Sequence, residues 1–347
     1  MIRTDGTDRP IRLLGASLLL AWAGLVSAEP SPRELWHQSI ESGYQALADS
    51  ANRLRHAAES YCTAPGNTRL DRVRSQWQST FLAWQAIRFV DFGPIERNSR
   101  AWQIQFWPDT RNLVAHKAQG WLKATGEITS KAIAEDGVAV QGLPILEYLL
   151  FDADLQTSSS ALPASRPCGL LTSVAGHLAD TTADVVTDWK ALEPVYLSDD
   201  QFTTDTFNAA RTMLDTLQDK RLETPMGVRG GQQPNPYLAD AWRSGQSVAA
   251  MKASLSGLDR YFLPGLRILM TNAGETGLFR DFQHQMDAAL AAFKPLPDGL
   301  KMALASDQDS RSLQSLLVQV SELRMLLAGP VADSLGIIRG FNSSDGD

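Results

Sequence analysis

Along this chain apolar residues recur at spacings of three and four, and no stretch sustains a two-residue alternation. Trp36, Ile40, Tyr44, Leu47, Ala51, Leu54, Ala58 and Tyr61 make the first stripe, which reads as a long amphipathic helix. Ser31-Pro32-Arg33-Glu34 opens it as a capping box with proline at the first helical position. A second stripe, Leu70, Val73, Trp77, Phe81 and Trp84, reaches Arg88 when extended by four residues, and Gly93-Pro94 ends that element. A third helix is expected over 112–134. Leu171, Val174, Leu178, Thr181, Val185 and Trp189 give a further face, and Asp154 to Pro167 reads as a surface loop.

The pattern breaks between Leu192 and Asp200 and restarts at Phe202, Thr206, Ala210, Met213 and Leu217. Thr224 to Pro236 is too polar for a core. Three more stripes come after it, through Val248 to Phe262, Leu278 to Phe293 and Leu313 to Leu327, the last stopped by Gly329-Pro330. The expected fold is all-α. Two helical-bundle domains, residues 29–195 and 196–347, fit this count.

One carboxylate breaks the apolar rule. Gly142 to Phe151 reads Gly-Leu-Pro-Ile-Leu-Glu-Tyr-Leu-Leu-Phe, with Glu147 its one acid. A helix apolar nearly all round is a buried helix. A buried carboxylate is costly unless paired, coordinated to a metal or protonated. Glu147 therefore marks a metal or ligand site on one reading. On the other it is a structural ion pair, or sits at a helix end that reaches water.

The ends add a location. Arg3, Arg9 and Arg12 precede an apolar run from Leu13 to Val26, closed by Val26-Ser27-Ala28. This is the pattern of an export leader, residues 1–28, cut after Ala28. No later segment reads as long and apolar enough to span a bilayer, so the expected mature protein is soluble and exported. The leader holds three Arg against two Asp, so removing it takes the net charge from −7 to −8. An acidic chain without a basic stripe argues against nucleic-acid binding. Cys62 and Cys168 are the only cysteines. In an oxidising compartment an even pair suggests a disulfide, closing a loop worth ~4–5 kcal/mol in the chain-entropy model; two buried free thiols are the alternative.

Several catalytic patterns are missing. Gly227 to Gly231 lacks the Gly-Lys-Ser/Thr ending of a phosphate loop. There is no Gly-x-Ser-x-Gly elbow and no His-Glu-x-x-His. His37, His56, His116, His177 and His284 have no second His or Cys at metal-ligand spacing.

Four strings together resemble the imelysin family of exported bacterial proteins. Trp84-Gln85-Ala86-Ile87-Arg88 is followed by Phe92-Gly93-Pro94-Ile95-Glu96. Gln105-Phe106-Trp107-Pro108-Asp109-Thr110-Arg111 is the second, and Gln141 to Phe151 the third. Leu335-Gly336 and Gly340 to Asp347 complete the set. The resemblance implies a two-domain helical protein in the periplasm or at the cell surface, with a candidate site near the domain interface and a link to iron uptake. It also implies metallopeptidase activity through a Gly-x-His-x-x-Glu motif. Here Gly142 and Glu147 match that motif, but Pro144 stands at the His position and has no metal-ligating side-chain atom.

The expectation is a non-catalytic periplasmic binding component for iron or another divalent metal. Its cleft residues are Arg88, Asp109, Arg111 and Glu147. Glu147 serves as metal ligand or charge partner, and Arg88, on an apolar stripe, is its best ion-pair partner. Asp109 equally reads as a helix cap near Asn112. Glu96 and Arg100 read as a surface pair, and Asp345 and Asp347 as a disordered acidic tail or as oxygens open to a hard cation. The expected partners are a small ligand or metal and other envelope proteins. A metallopeptidase and an envelope scaffold remain the alternatives.

Overall fold

The structure is a computed structural model that describes residues 1–3, 6 and 30–337. Contacts divide the chain into Met1–Pro30 and a compact unit, Ser31–Asp347. Every described helix belongs to the second. The expected leader, apart from residues 1–3 and 6, and the ending from Gly340 to Asp347, including Asp345 and Asp347, lie outside the described residues.

Among the described residues the unit is helical without strands. α1 (Pro32–Thr63) starts as the capping box requires. Ser31 Oγ accepts from the Glu34 N–H at 3.2 Å, and Glu34 accepts from the Ser31 N–H at 2.6 Å. Every residue of its expected stripe is buried. α2 (Asn67–Ile87) comes next. After turns at Gly93–Ile95 and Arg97–Ser99 come α3 (Arg100–Ile104), α4 (Leu113–Lys123), α5 (Ser130–Glu135), α6 (Gly142–Phe151) and α7 (Ala153–Gln156). The single helix expected over 112–134 is two helices. Gly126 and the β-branched Thr125 interrupt it, and Thr129 caps α5 by accepting the Ala132 N–H.

The chain continues into α8 (Ser165–Ser198) and α9 (Gln201–Thr216). α8 runs through Pro194 to Ser198, and the helical break falls at Asp199, inside the stretch from Leu192 to Asp200 where the pattern breaks. α10 (Ser247–Gly257), α11 (Leu263–Asn272), α12 (Thr276–Ala291), α13 (Leu300–Leu304), α14 (Asp307–Leu326) and α15 (Ala332–Ser334) complete the unit. π-helical turns at Leu217–Glu223, Leu258–Phe262 and Leu327–Val331 extend α9, α10 and α14.

α1 is the axis of the core. It packs against α2 and α8 and, from farther along the chain, against α11. Its Trp36 stacks on Phe262 with centroids 5.6 Å apart and donates its indole N–H to the Phe262 carbonyl at 2.6 Å. α10 closes on α2 because Gly257 has no Cβ to strike the Ala86 carbonyl. Cys62 and Cys168 form a disulfide, with Cα atoms 5.6 Å apart, that ties the end of α1 to the start of α8. Contrary to expectation, one later run, Asp307–Ser334, is long and apolar enough by length and composition to cross a membrane. Its Leu313, Leu316, Val320, Leu323 and Leu327 are fully buried, as on the inner face of a core helix.

Candidate functional site

The site is built around the first turn of α6. Gly142 adopts φ +68°, and any Cβ there would collide with the carbonyl oxygens of Gln103 and Ile104. That contact sets α6 directly against the end of α3. Trp77 of α2 donates its indole N–H to the Leu143 carbonyl at 3.0 Å. Leu143, Ile145, Leu146, Leu149 and Leu150 are fully buried, and Glu147 keeps only 5% of its surface.

The Glu147 carboxylate is answered from a loop. Its Oε1 accepts from both the backbone N–H and the hydroxyl of Ser244, each at 2.8 Å. Burial raises its pKa above the ordinary carboxylate value; the two Ser244 bonds and the charge of Arg243 pull it back, and Asp240 pushes it up again. Arg243 lies 4.1 Å over the Trp242 ring and 5.4 Å from the Tyr148 centroid. It pairs with Asp152 at 2.8 Å and donates to Asn112 at 3.0 Å. The segment 237–246 is thereby clamped over α6.

Next to it lies a buried polar network. Arg221, from the π-helical turn after α9, pairs with Asp240 at 2.9 Å; the side chains are 1% and 2% exposed. Arg221 also donates to Gln85 Oε1 at 2.5 Å and to Ser254 Oγ at 3.0 Å, while its Nε is buried without a partner. Arg88 donates to Gln105 Oε1 at 2.8 Å and stands 3.9 Å from Asp240. That same Gln105 oxygen accepts from Trp84 at 2.8 Å and Gln85 at 2.9 Å. Burial, then the like charge of Arg221, push Arg88 down to about 9, with Asp240 opposing. It remains cationic at neutral pH.

Between these groups lies a cavity of about 60 Å³, enough for a few waters or a small group. Trp77, Phe81, Trp107, Pro108, Pro144 and Trp242 form apolar walls, and Asp109, Glu147, Asp240 and Arg243 also face it.

Of the residues expected from sequence, Glu147 and Asp109 line this cavity. Arg88 joins it only indirectly, through Gln105 and Asp240, and the expected Arg88–Glu147 pair does not form. Arg88 sits on the far end of α2 from the Ser244 loop, so its carboxylate is Asp240. Asp109 is a cap: its oxygens accept the N–H groups of Leu113 and Val114 at 2.8 and 3.0 Å. Arg111 is exposed and does not line the cavity. Arg100 pairs with Asp188 at 2.7 Å instead of Glu96, because α8 passes beside it. His177 meets Gln141 Oε1 at 3.2 Å. Sequence reasoning missed Gln105, Arg221, Asp240, Trp242, Arg243 and Ser244. Two of them had a signal: Gln105 opens the second family string, and Arg221 lies four residues beyond Leu217 on an apolar stripe.

Residues 40–327 match the family model Peptidase_M75, described as imelysin. The chain belongs to the imelysin family. Its fold is similar to the crystal structure of an imelysin-like protein from Psychrobacter arcticum 273-4, with a TM-score of 0.76 and 23% identity over 89% of this chain and 98% of that one. It is also similar to a "putative iron-regulated protein A precursor" from Parabacteroides distasonis ATCC 8503, with a TM-score of 0.67 and 13% identity over 89% of this chain and 97% of that one. No match was found among curated proteins.

The side chains do not fit a resident metal. Glu147 is committed to Ser244, Asp240 to Arg221 and Asp109 to the start of α4, while Pro144 holds the motif's His position. Among the described residues no three His, Cys, Asp or Glu side chains converge to hold an ion.

Proposed function

We propose that this imelysin-family chain is a non-catalytic periplasmic binding component linked to iron or metal acquisition. It takes a small group in the cavity between α6 and the 237–246 segment, and iron reaches the protein within an organic chelate of which only one arm enters that cavity. The observation that carries the reading is the cavity itself. It gathers two of the family strings, Gln105 to Thr110 and Leu143 to Glu147, under a loop whose polar groups are already paired. Aromatic walls with a few placed polar groups are the build of a binding pocket. The iron link is supported by the printed name of the Parabacteroides relative, and the location by the leader pattern.

Calorimetric titration of the mature protein with iron(III), zinc and calcium salts, and with ferric chelates, tests the proposal. Binding of a ferric chelate that changes in Glu147→Gln is expected. If neither salts nor chelates bind, and the variant behaves like wild type, the site is abandoned. The metallopeptidase reading predicts chelator-sensitive cleavage of protein substrates, lost in Glu147→Ala while the fold survives; Pro144 stands against it. The scaffold reading draws on one observation, that Glu147 and Arg88 are both answered inside the protein. Capture of envelope proteins without any small-molecule binding would favour it.

A further inference from the structure

A second cavity, about 220 Å³, shares only Gln105 and Trp107 with the pocket at Glu147. Its walls include Trp84, Phe89, Trp102 and Trp107, and it holds two charged side chains, Arg88 and Asp91. We propose that this cavity binds a small aromatic monocarboxylate, with the carboxylate on Arg88 and the flat body between the tryptophans.

The charge balance around Arg88 motivates the anion. Arg88 and Arg221 share one buried carboxylate, Asp240, which is 2.9 Å from Arg221 but 3.9 Å from Arg88. The closer bonds of Arg88 go to neutral amide oxygens, Gln105 at 2.8 Å and Gln85 at 3.3 Å. Among these buried groups two guanidiniums face one carboxylate, in surroundings that screen poorly, and Asp91 supplies a negative charge only at the exposed side of the cavity. The Arg88 side chain is 15% exposed, and that remnant belongs to a residue lining the cavity. A guanidinium matches a carboxylate through parallel N–H donors.

The walls choose the body of the ligand. The Arg88 guanidinium carbon lies 5.9 Å from the Trp84 centroid and 5.7 Å from that of Trp107. Trp84, 2% exposed, backs the arginine, Trp107 is half-buried, and Trp102 adds a ring that is 46% exposed. Offset stacking favours an aromatic guest over an alkyl one. Asp91, exposed in the same cavity, opposes a second negative charge, so dianions are disfavoured. The proposal does not rest on the chelate-binding reading, since the two cavities differ in charge and in all but two lining residues.

The test uses the mature full-length protein, with benzoate, the neutral benzamide and the dianion isophthalate as probes. Binding is followed by tryptophan fluorescence and calorimetry. Benzoate should bind at least about tenfold more tightly than benzamide, the loss expected when one partner of a desolvated charge pair is absent. Isophthalate should bind more weakly than benzoate. Arg88→Lys should weaken benzoate, and because that variant disturbs a buried network, two exposed positions carry the decision. Asp91→Asn should narrow the gap between isophthalate and benzoate with benzamide unchanged, and Trp102→Ala should weaken benzoate. Equal affinity for benzoate and benzamide, no binding of either, or an unchanged isophthalate-to-benzoate ratio in Asp91→Asn overturns the proposal. Each of those results leaves the ferric-chelate measurement at Glu147 standing.

Discussion

Glu147 and Ser244, 97 residues apart in sequence, are joined by two hydrogen bonds to a single carboxylate oxygen. The family's motif acid thus serves as an anchor for the 237–246 segment. Removing the acceptor strands two donors in a half-buried place, so Glu147→Ala should cost about 1–3 kcal/mol. Urea unfolding measures it, and loosening of 237–246 should appear as faster amide exchange there.

The same residue gives a pH signature. Burial lifts its pKa above the unfolded value of 4.5, so the folded state holds the proton more tightly. The stability tied to that proton is fully present below 4.5 and is lost as pH rises through the folded value. Glu147→Gln keeps an acceptor for Ser244 and never ionises. Its stability relative to wild type should therefore grow as pH rises through and beyond the ordinary carboxylate range. A difference that stays flat with pH contradicts this.

Arg221 and Asp240 form the driest ion pair of the fold's described part. Asp240→Asn leaves Arg221 without its counter-charge and should cost about 3–5 kcal/mol, while Arg221→Met, after which Asp240 still faces Arg88 at 3.9 Å, should cost less. The double variant should recover part of that loss, which a double-mutant cycle in denaturant reads directly.

Asp109 separates a cap from a ligand. Asp109→Ala removes acceptors for Leu113 and Val114 and should cost about 1 kcal/mol. Asp109→Asn should keep most of it, and ligand affinity should follow stability in both.

Gly142→Ala should be among the most damaging single-methyl changes. The left-handed backbone alone costs a non-glycine residue about 1–3 kcal/mol, and the new methyl meets two carbonyl oxygens. Poor soluble yield or a large fall in melting temperature is the expected result.

Much of this was legible in the chain. The stripes through Trp36 and Tyr61, and through Leu313 and Leu327, are buried as their spacing requires. So is Glu147, whose apolar neighbours announced it. The rule that flagged Arg88, one more step along an apolar stripe, also points to Arg221. What sequence could not supply was pairing. Asp240, Trp242, Arg243 and Ser244 sit in a stretch without helical period, and nothing local assigns a loop serine to a carboxylate on another helix. The break at Gly126 was hidden because apolar residues on either side kept a helical rhythm.

The Trp36 indole, held by the carbonyl of Phe262 across 226 residues of sequence, makes the first helix useless on its own. During synthesis it must wait, half-clad, until the ribosome has delivered most of the polypeptide. That delay calls for a holdase, and a chain clipped before residue 262 would be prey for quality-control proteases.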